Sequence, residues 1–63
     1  MSALTVENLA DMINKECEEF NYLFAVGLIR ETLPLWKNSR NREFLCGTAL
    51  VFVEHYLEEG IVQ

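Results

Sequence analysis

The chain has 63 residues, of which 51% are apolar and 24% are charged, and its formal net charge at pH 7 is -5. This length excludes two domains, because two hydrophobic cores of ordinary size cannot be formed from so short a chain. The apolar content excludes a disordered tail, and the negative charge disfavours nucleic acid, whose phosphates repel it. We therefore expect one folded domain over residues 1–63.

The first segment predicts an amphipathic helix over residues 5–20. Apolar side chains recur there at spacings of three and four residues, at Val6, Leu9, Ile13, Cys17 and Phe20. This period places them on one face of a helix. Thr5 is a suitable N-cap, because its hydroxyl can accept a hydrogen bond from an unpaired amide of the first turn.

The second helix is expected over residues 22–36, with Asn21 as its cap. Pro34 cannot donate a hydrogen bond to the carbonyl of Arg30, so the helix should kink or stop near Leu33. Its first two turns have no polar side. A helix that is apolar all round must be covered all round, and we expect a second copy or another protein to cover what the rest of the chain leaves open.

The third helix is expected over residues 41–59, closed by Gly60 as its C-terminal cap. Two adjacent apolar stripes begin at Leu45 and Cys46 and continue at helical spacing. Residues 48–53 alone also suit a buried strand, but the chain offers no second strand-like run to pair with them. The predicted fold class is therefore all-α, with three helices.

The apolar surplus also predicts self-association, since so small a domain cannot easily hide it. A two-fold homodimer is the usual form of such an assembly. The expected dimer contacts, on the second and third helices, are Phe24, Leu28, Leu45, Ala49, Phe52 and Tyr56. No apolar run reaches the roughly 20 residues that a bilayer span requires, so we expect neither a membrane segment nor a signal peptide.

The cysteines and the histidine do not predict an enzyme. Cys17 and Cys46 lie on apolar stripes, and we expect reduced, buried thiols in the cytoplasm; a disulfide between them, or across a dimer, needs an oxidising setting. His55 stands at helical spacing from Glu58 and Glu59, but no second histidine or cysteine has ligand spacing to it, which favours an exposed, solvated face. The sequence predicts no catalytic residue, no metal and no cofactor.

Positive charge is concentrated between the second and third helices, where three of the five basic residues lie in positions 37–42. Exposed aromatic side chains beside such a loop are typical anchors in protein interfaces. The predicted partner-binding residues are Tyr22, Trp36, Lys37, Arg40 and Arg42. The alternative is a DNA-binding transcriptional regulator that uses the basic 37–42 loop, although three charges are few for binding phosphates.

The whole chain, from VENLADMINKECEEF through LFAVGLIRETLPLWKN to FLCGTALVFVEHYLEEG, resembles the small helical early proteins of lambdoid phages encoded between the exonuclease and excisionase genes. The resemblance implies a cytoplasmic, non-enzymatic modulator of host physiology and of the choice between lysis and lysogeny. It implies action as an oligomer through protein partners, and it assigns no individual residue. We therefore expect a small adaptor or regulatory protein with an unidentified protein partner.

Overall fold

The computed structural model describes residues 5–59, and this part of the chain is helical and contains no strand. Its helices are α1 (Val6–Glu18), α2 (Tyr22–Glu31), α3 (Leu33–Trp36), α4 (Ser39–Arg42) and α5 (Gly47–Glu59). The long helices α1, α2 and α5 pack against one another, while α3 and α4 connect α2 to α5. The all-α prediction is confirmed, and residues 48–53 belong to α5 rather than to a strand. The predicted cap at Gly60 lies outside the described residues.

Helix α1 begins where the sequence predicts. The hydroxyl of Thr5 accepts a hydrogen bond from the backbone amide of Asn8 at 3.1 Å, which is the expected N-cap contact. The helix ends at Glu18, two residues earlier than predicted, because the chain turns sharply at Phe20. Asn21 occupies the N-cap position of α2, but its side chain does not cap the helix and instead donates to Glu16 Oε1 at 2.9 Å.

Helix α2 stops at Glu31 and the chain restarts as the short helix α3, which ends at Trp36, so the stop predicted near Leu33 within residues 22–36 is confirmed. The break falls at Thr32, two residues before Pro34. Proline lacks the amide that would donate to the carbonyl of Arg30, and its ring would collide with that carbonyl. In the first turn of α3 that missing amide costs nothing, because amides there have no helical partner.

The third long helix begins at Gly47 instead of residue 41, because α1 holds the preceding loop. The side-chain amide of Asn14 donates to the backbone carbonyl of Phe44 at 2.9 Å. Its oxygen accepts from the backbone amide of Cys46 at 2.8 Å. These two bonds pair backbone groups that a continuous helix would have used, so residues 43–46 form a loop packed on α1.

Substitution of Asn14 by alanine is expected to lower the free energy of unfolding by about 1–3 kcal/mol, because two backbone groups lose their partners. Asn14→Asp is the matched variant, since a carboxylate still accepts from the amide of Cys46 but repels the carbonyl of Phe44. Urea unfolding followed by circular dichroism measures both. Equal stability of wild type and Asn14→Ala would show that the side chain of Asn14 does not hold the loop.

The core lies where the three long helices meet and where α3 closes over them. Its buried side chains are Leu9, Ala10, Ile13, Cys17, Ala25, Ile29, Leu33, Trp36, Leu45, Ala49 and Val53. Trp36 is the largest of those that are fully buried, and its indole Nε1–H donates to the hydroxyl of Thr32 at 2.8 Å. That hydroxyl donates in turn to the carbonyl of Leu28 at 2.6 Å. None of the helices in this part of the chain is long and apolar enough to cross a bilayer.

Candidate protein-binding surface

The predicted partner-binding residues do not form one surface. Trp36 is fully buried, so the prediction that it anchors a partner is wrong. The physical reason is Thr32, whose hydroxyl accepts a hydrogen bond from the indole N–H inside the domain, so that this N–H does not need to reach solvent. Trp36 is a core residue that fixes α3 against the long helices.

The basic loop is also less available than its composition suggests. Lys37 and Arg40 are exposed, but Arg42 is half-buried and is used within the domain. Its guanidinium donates to the backbone carbonyl of Trp36 at 2.8 Å and to that of Lys37 at 3.2 Å. Arg42 therefore closes the end of α3, and of the three basic residues in the 37–42 loop only Lys37 and Arg40 are exposed to attract a phosphate backbone.

The predicted dimer contacts divide into three groups. Leu45 and Ala49 are buried inside a single chain, so they cannot touch a second copy and that part of the prediction is wrong. Leu28, Phe52 and Tyr56 are half-buried against the core. Phe24 differs from these five residues, because most of its ring is exposed.

Phe24 belongs to an exposed apolar cluster at the start of α2. Leu23 is 90% exposed, Phe20 is 76% exposed and Phe24 is 72% exposed. Tyr22 lies beside them and is 40% exposed. We call these four residues, Phe20, Tyr22, Leu23 and Phe24, the α2 apolar cluster.

The cluster is attached to the core through edge-to-face aromatic contacts. The rings of Phe20 and Tyr22 lie 6.1 Å apart, centroid to centroid, with an interplanar angle of 86°. Tyr22 contacts Phe52 of α5 in turn at 5.7 Å and 74°. Edge-to-face geometry is favoured for aromatic pairs, so these contacts link Phe20 and Tyr22 to Phe52 on α5.

The backbone at Phe20 is strained, with a φ of 64°. The amide of Phe20 donates to the carbonyl of Cys17 at 3.1 Å, and the amide of Asn21 donates to that of Glu16 at 2.8 Å. These two bonds form the Schellman motif that ends many helices, in which glycine usually occupies the left-handed position. A residue with a Cβ costs roughly 1–2 kcal/mol in this conformation. The chain thus holds a large aromatic side chain in solvent at a position that favours glycine.

Negative charge borders the cluster on the side of α1. Glu16, Glu18 and Glu19 occupy the last turn of that helix and its cap. The side-chain amide of Asn21 donates to Glu16 Oε1 at 2.9 Å and contacts Glu19 Oε1 at 3.5 Å, which holds two of these carboxylates beside the start of α2. The cluster therefore combines an apolar centre with an acidic rim.

The other chemically notable side chains lie elsewhere. His55 Nδ1 stands 3.9 Å from Glu59 Oε2 on an exposed turn of α5. Over residues 5–59, no group of three histidine, cysteine or acidic side chains is arranged to hold a metal ion. A shallow depression of about 420 Å³ is lined by Arg42, Glu54, Leu57 and Glu58. It has none of the nucleophile and base pairs that covalent catalysis requires.

Comparison with known proteins adds no relative to these observations: no family model, no curated protein and no solved structure matches the chain. The candidate surface therefore depends on the geometry of this chain alone. The predicted contact residues include Tyr22 and Phe24 but not Phe20 and Leu23. Phe20 belongs by its spacing to the apolar stripe of α1 but is exposed, and in the unbroken apolar run of α2 no pattern marks Leu23 as the outward side.

Proposed function

We propose that this chain is a small, non-enzymatic adaptor or regulatory protein that acts by binding a protein partner through the α2 apolar cluster. The observation that carries the proposal is the exposure of three large apolar side chains within five residues of sequence, Phe20, Leu23 and Phe24. Concentrations of exposed apolar surface are uncommon on isolated soluble domains and mark interaction sites.

The size of the cluster fits the centre of an interface. A large aromatic side chain carries about 150–250 Å², so four partly exposed side chains offer on the order of 500 Å². A stable interface buries about 800 Å² on each partner. Polar side chains around the cluster would supply the remainder, and the few central apolar residues would provide most of the binding energy.

The acidic rim indicates the chemistry of the partner. We propose an apolar pocket or groove that takes Phe20 and Leu23 and is flanked by lysine or arginine side chains opposite Glu16 and Glu19. Complementary charge of this kind accelerates association and excludes acidic surfaces, although each rim pair adds little affinity. The same rim disfavours nucleic acid as the ligand, because it places carboxylates beside the contact surface.

The resemblance to lambdoid phage early proteins extends this proposal to a biological setting. On that basis the partner is a host protein in the cytoplasm, and binding modulates host physiology and the choice between lysis and lysogeny. An adaptor with an exposed apolar centre suits this role, since occupation of a pocket on a host protein requires no chemistry from the chain itself.

Self-association remains a second part of the proposal. Two copies can place their α2 apolar clusters against each other about a two-fold axis, with Phe24 as the predicted contact that stays exposed. A second copy and a partner would then compete for one surface. Light scattering over a concentration series tests the dimer directly, and a monomer at high micromolar concentration would contradict it while leaving partner binding to be tested separately.

Substitution of Phe20 by glycine is the experiment that tests the proposed function. The variant relieves the strained φ, so the free energy of unfolding is expected to stay unchanged or to rise by about 1 kcal/mol. It also removes an exposed aromatic anchor, so the yield of captured partner should fall about tenfold or more. Urea unfolding gives the first quantity, and quantitative mass spectrometry of proteins retained by the immobilised chain gives the second.

The control for this test is Phe44→Ala, which removes another partly exposed phenyl ring outside the cluster. Partner capture by Phe44→Ala should match that of wild type. Capture by Phe20→Gly at the wild-type yield would contradict the proposed function, because the variant would then have lost the exposed ring at no cost to binding.

A further inference from the structure

The fold brings the two cysteines together although they lie far apart in the sequence. Cys17 is buried in the last turn of α1, and Cys46 lies half-buried just before α5. Both pack in or against the same hydrophobic core. Both thiols are free.

A contact that does not involve sulfur fixes this arrangement. Asn14 Oδ1 accepts from the backbone amide of Cys46 at 2.8 Å, and Asn14 Nδ2 donates to the carbonyl of Phe44 at 2.9 Å. Asn14 and Cys17 are three residues apart in one helix, so they are neighbours on the same face of α1. The backbone of Cys46 is therefore held beside the helical turn that carries Cys17.

We propose that Cys17 and Cys46 form a reversible intramolecular disulfide in which a low-molecular-weight disulfide such as oxidised glutathione is the oxidant. In the first step the Cys46 thiolate attacks one sulfur of the oxidant, which gives a mixed disulfide and releases one thiol. In the second step the Cys17 sulfur attacks Cys46 Sγ, gives up its proton to solvent and releases the second thiol. The protein loses two hydrogen atoms, and one oxidant disulfide is reduced to two thiols.

The different surroundings of the two thiols determine the order of these steps. Burial raises the pKa of the Cys17 thiol, and the neighbouring Cys46 raises it further. Cys17 is thereby kept protonated and shielded, which disfavours it as the first nucleophile. Cys46 is more exposed and meets the oxidant first. Its mixed disulfide then stands beside Cys17, so the second step is intramolecular and needs no further encounter.

The bond would join the end of α1 to the start of α5 and close a covalent ring that contains α2, α3 and α4. A ring of this size restricts the unfolded chain more than the folded one, so the oxidised form should resist unfolding. The ring leaves the α2 apolar cluster exposed. The disulfide is therefore independent of the proposed function, and either can fail without the other.

The test equilibrates the full chain in mixtures of reduced and oxidised glutathione, traps free thiols by alkylation and measures the intact mass. We expect a monomer lighter by two hydrogen atoms, with both cysteines protected from alkylation, and a melting temperature about 10 °C or more above that of the reduced chain. Cys46→Ala cannot form the bond, so its melting temperature should be the same with and without oxidant. Asn14→Ala should need a more oxidising mixture to form the bond, because the variant lacks the side-chain hydrogen bonds that position Cys46.

Three results would overturn the proposal. These are a stable glutathione adduct on either cysteine, a disulfide-linked dimer as the main oxidised product, or two thiols that remain open to alkylation in the most oxidising mixture. Non-reducing electrophoresis separates the dimer from the monomer, and the intact mass separates the adduct from the ring. Return of both thiols on addition of reduced glutathione establishes that the bond is reversible.

Discussion

Replacement of Trp36 by alanine is expected to unfold the domain. Trp36 is the largest of the fully buried side chains, and truncation of a buried tryptophan to alanine costs about 3–5 kcal/mol. A domain of this size has a free energy of unfolding near the lower end of the range of about 5–15 kcal/mol. The loss therefore consumes most of the stability. Far-UV circular dichroism should show reduced helicity at 37 °C, where wild type remains helical.

Trp36→Phe is the matched control for this prediction. The phenyl ring fills much of the same space but has no donor for the hydroxyl of Thr32, so a smaller loss of about 1–3 kcal/mol is expected. Wild-type urea resistance of Trp36→Ala would contradict the assignment of Trp36 to the core. Reduced partner capture by Trp36→Ala would report unfolding and not the loss of an anchor.

Replacement of Leu23 by glutamate is expected to abolish partner capture without unfolding the chain. Leu23 is 90% exposed, so the substitution should change the free energy of unfolding by no more than about 0.5 kcal/mol. Glutamate is also a good helix former. In the complex, however, the carboxylate would enter an apolar pocket without a partner, which costs far more than the lost leucine contacts. Capture from the native cell, quantified for wild type and variant at equal helicity, measures the effect.

Val51 provides the control for Leu23→Glu, because it is another exposed aliphatic side chain and lies on α5 outside the cluster. Val51→Glu introduces the same charge and should leave capture at the wild-type level. Equal losses of capture with the two variants would attribute the loss to the added negative charge in general. Capture at the wild-type level by both variants would exclude the cluster as the binding surface. Either result would contradict the proposed surface.

Local signals in the sequence predict much of the fold. The period of α1 and the capping hydroxyl of Thr5 fix the start of that helix, and Pro34 fixes the break after α2, because each acts through bonds to residues within one turn. The start of α5 could not be predicted, since it depends on Asn14, whose partners lie about thirty residues further along the chain. No spacing rule connects residues that only tertiary packing brings together.

The candidate surface was predictable only in outline. The apolar surplus of α2 indicates that some of it stays exposed, but a helix that is apolar on every side does not reveal which side faces the core. Trp36 shows the opposite error, since an aromatic residue beside a basic loop is typical of an interface. The hydrogen bond from Nε1 to Thr32 joins residues only four apart, but the burial of Trp36 depends on the packing of α3 against the long helices, which the spacing does not encode.

Site-specific photo-crosslinking inside the native cell tests the central claim most directly. A photoreactive phenylalanine analogue at position 23 lies in the α2 apolar cluster, and the same analogue at position 51 lies on α5. The account predicts that position 23 yields a discrete covalent product with another protein or a second copy of the chain, and that position 51 yields none. Equal products from both positions, or a product from position 51 alone, would contradict it.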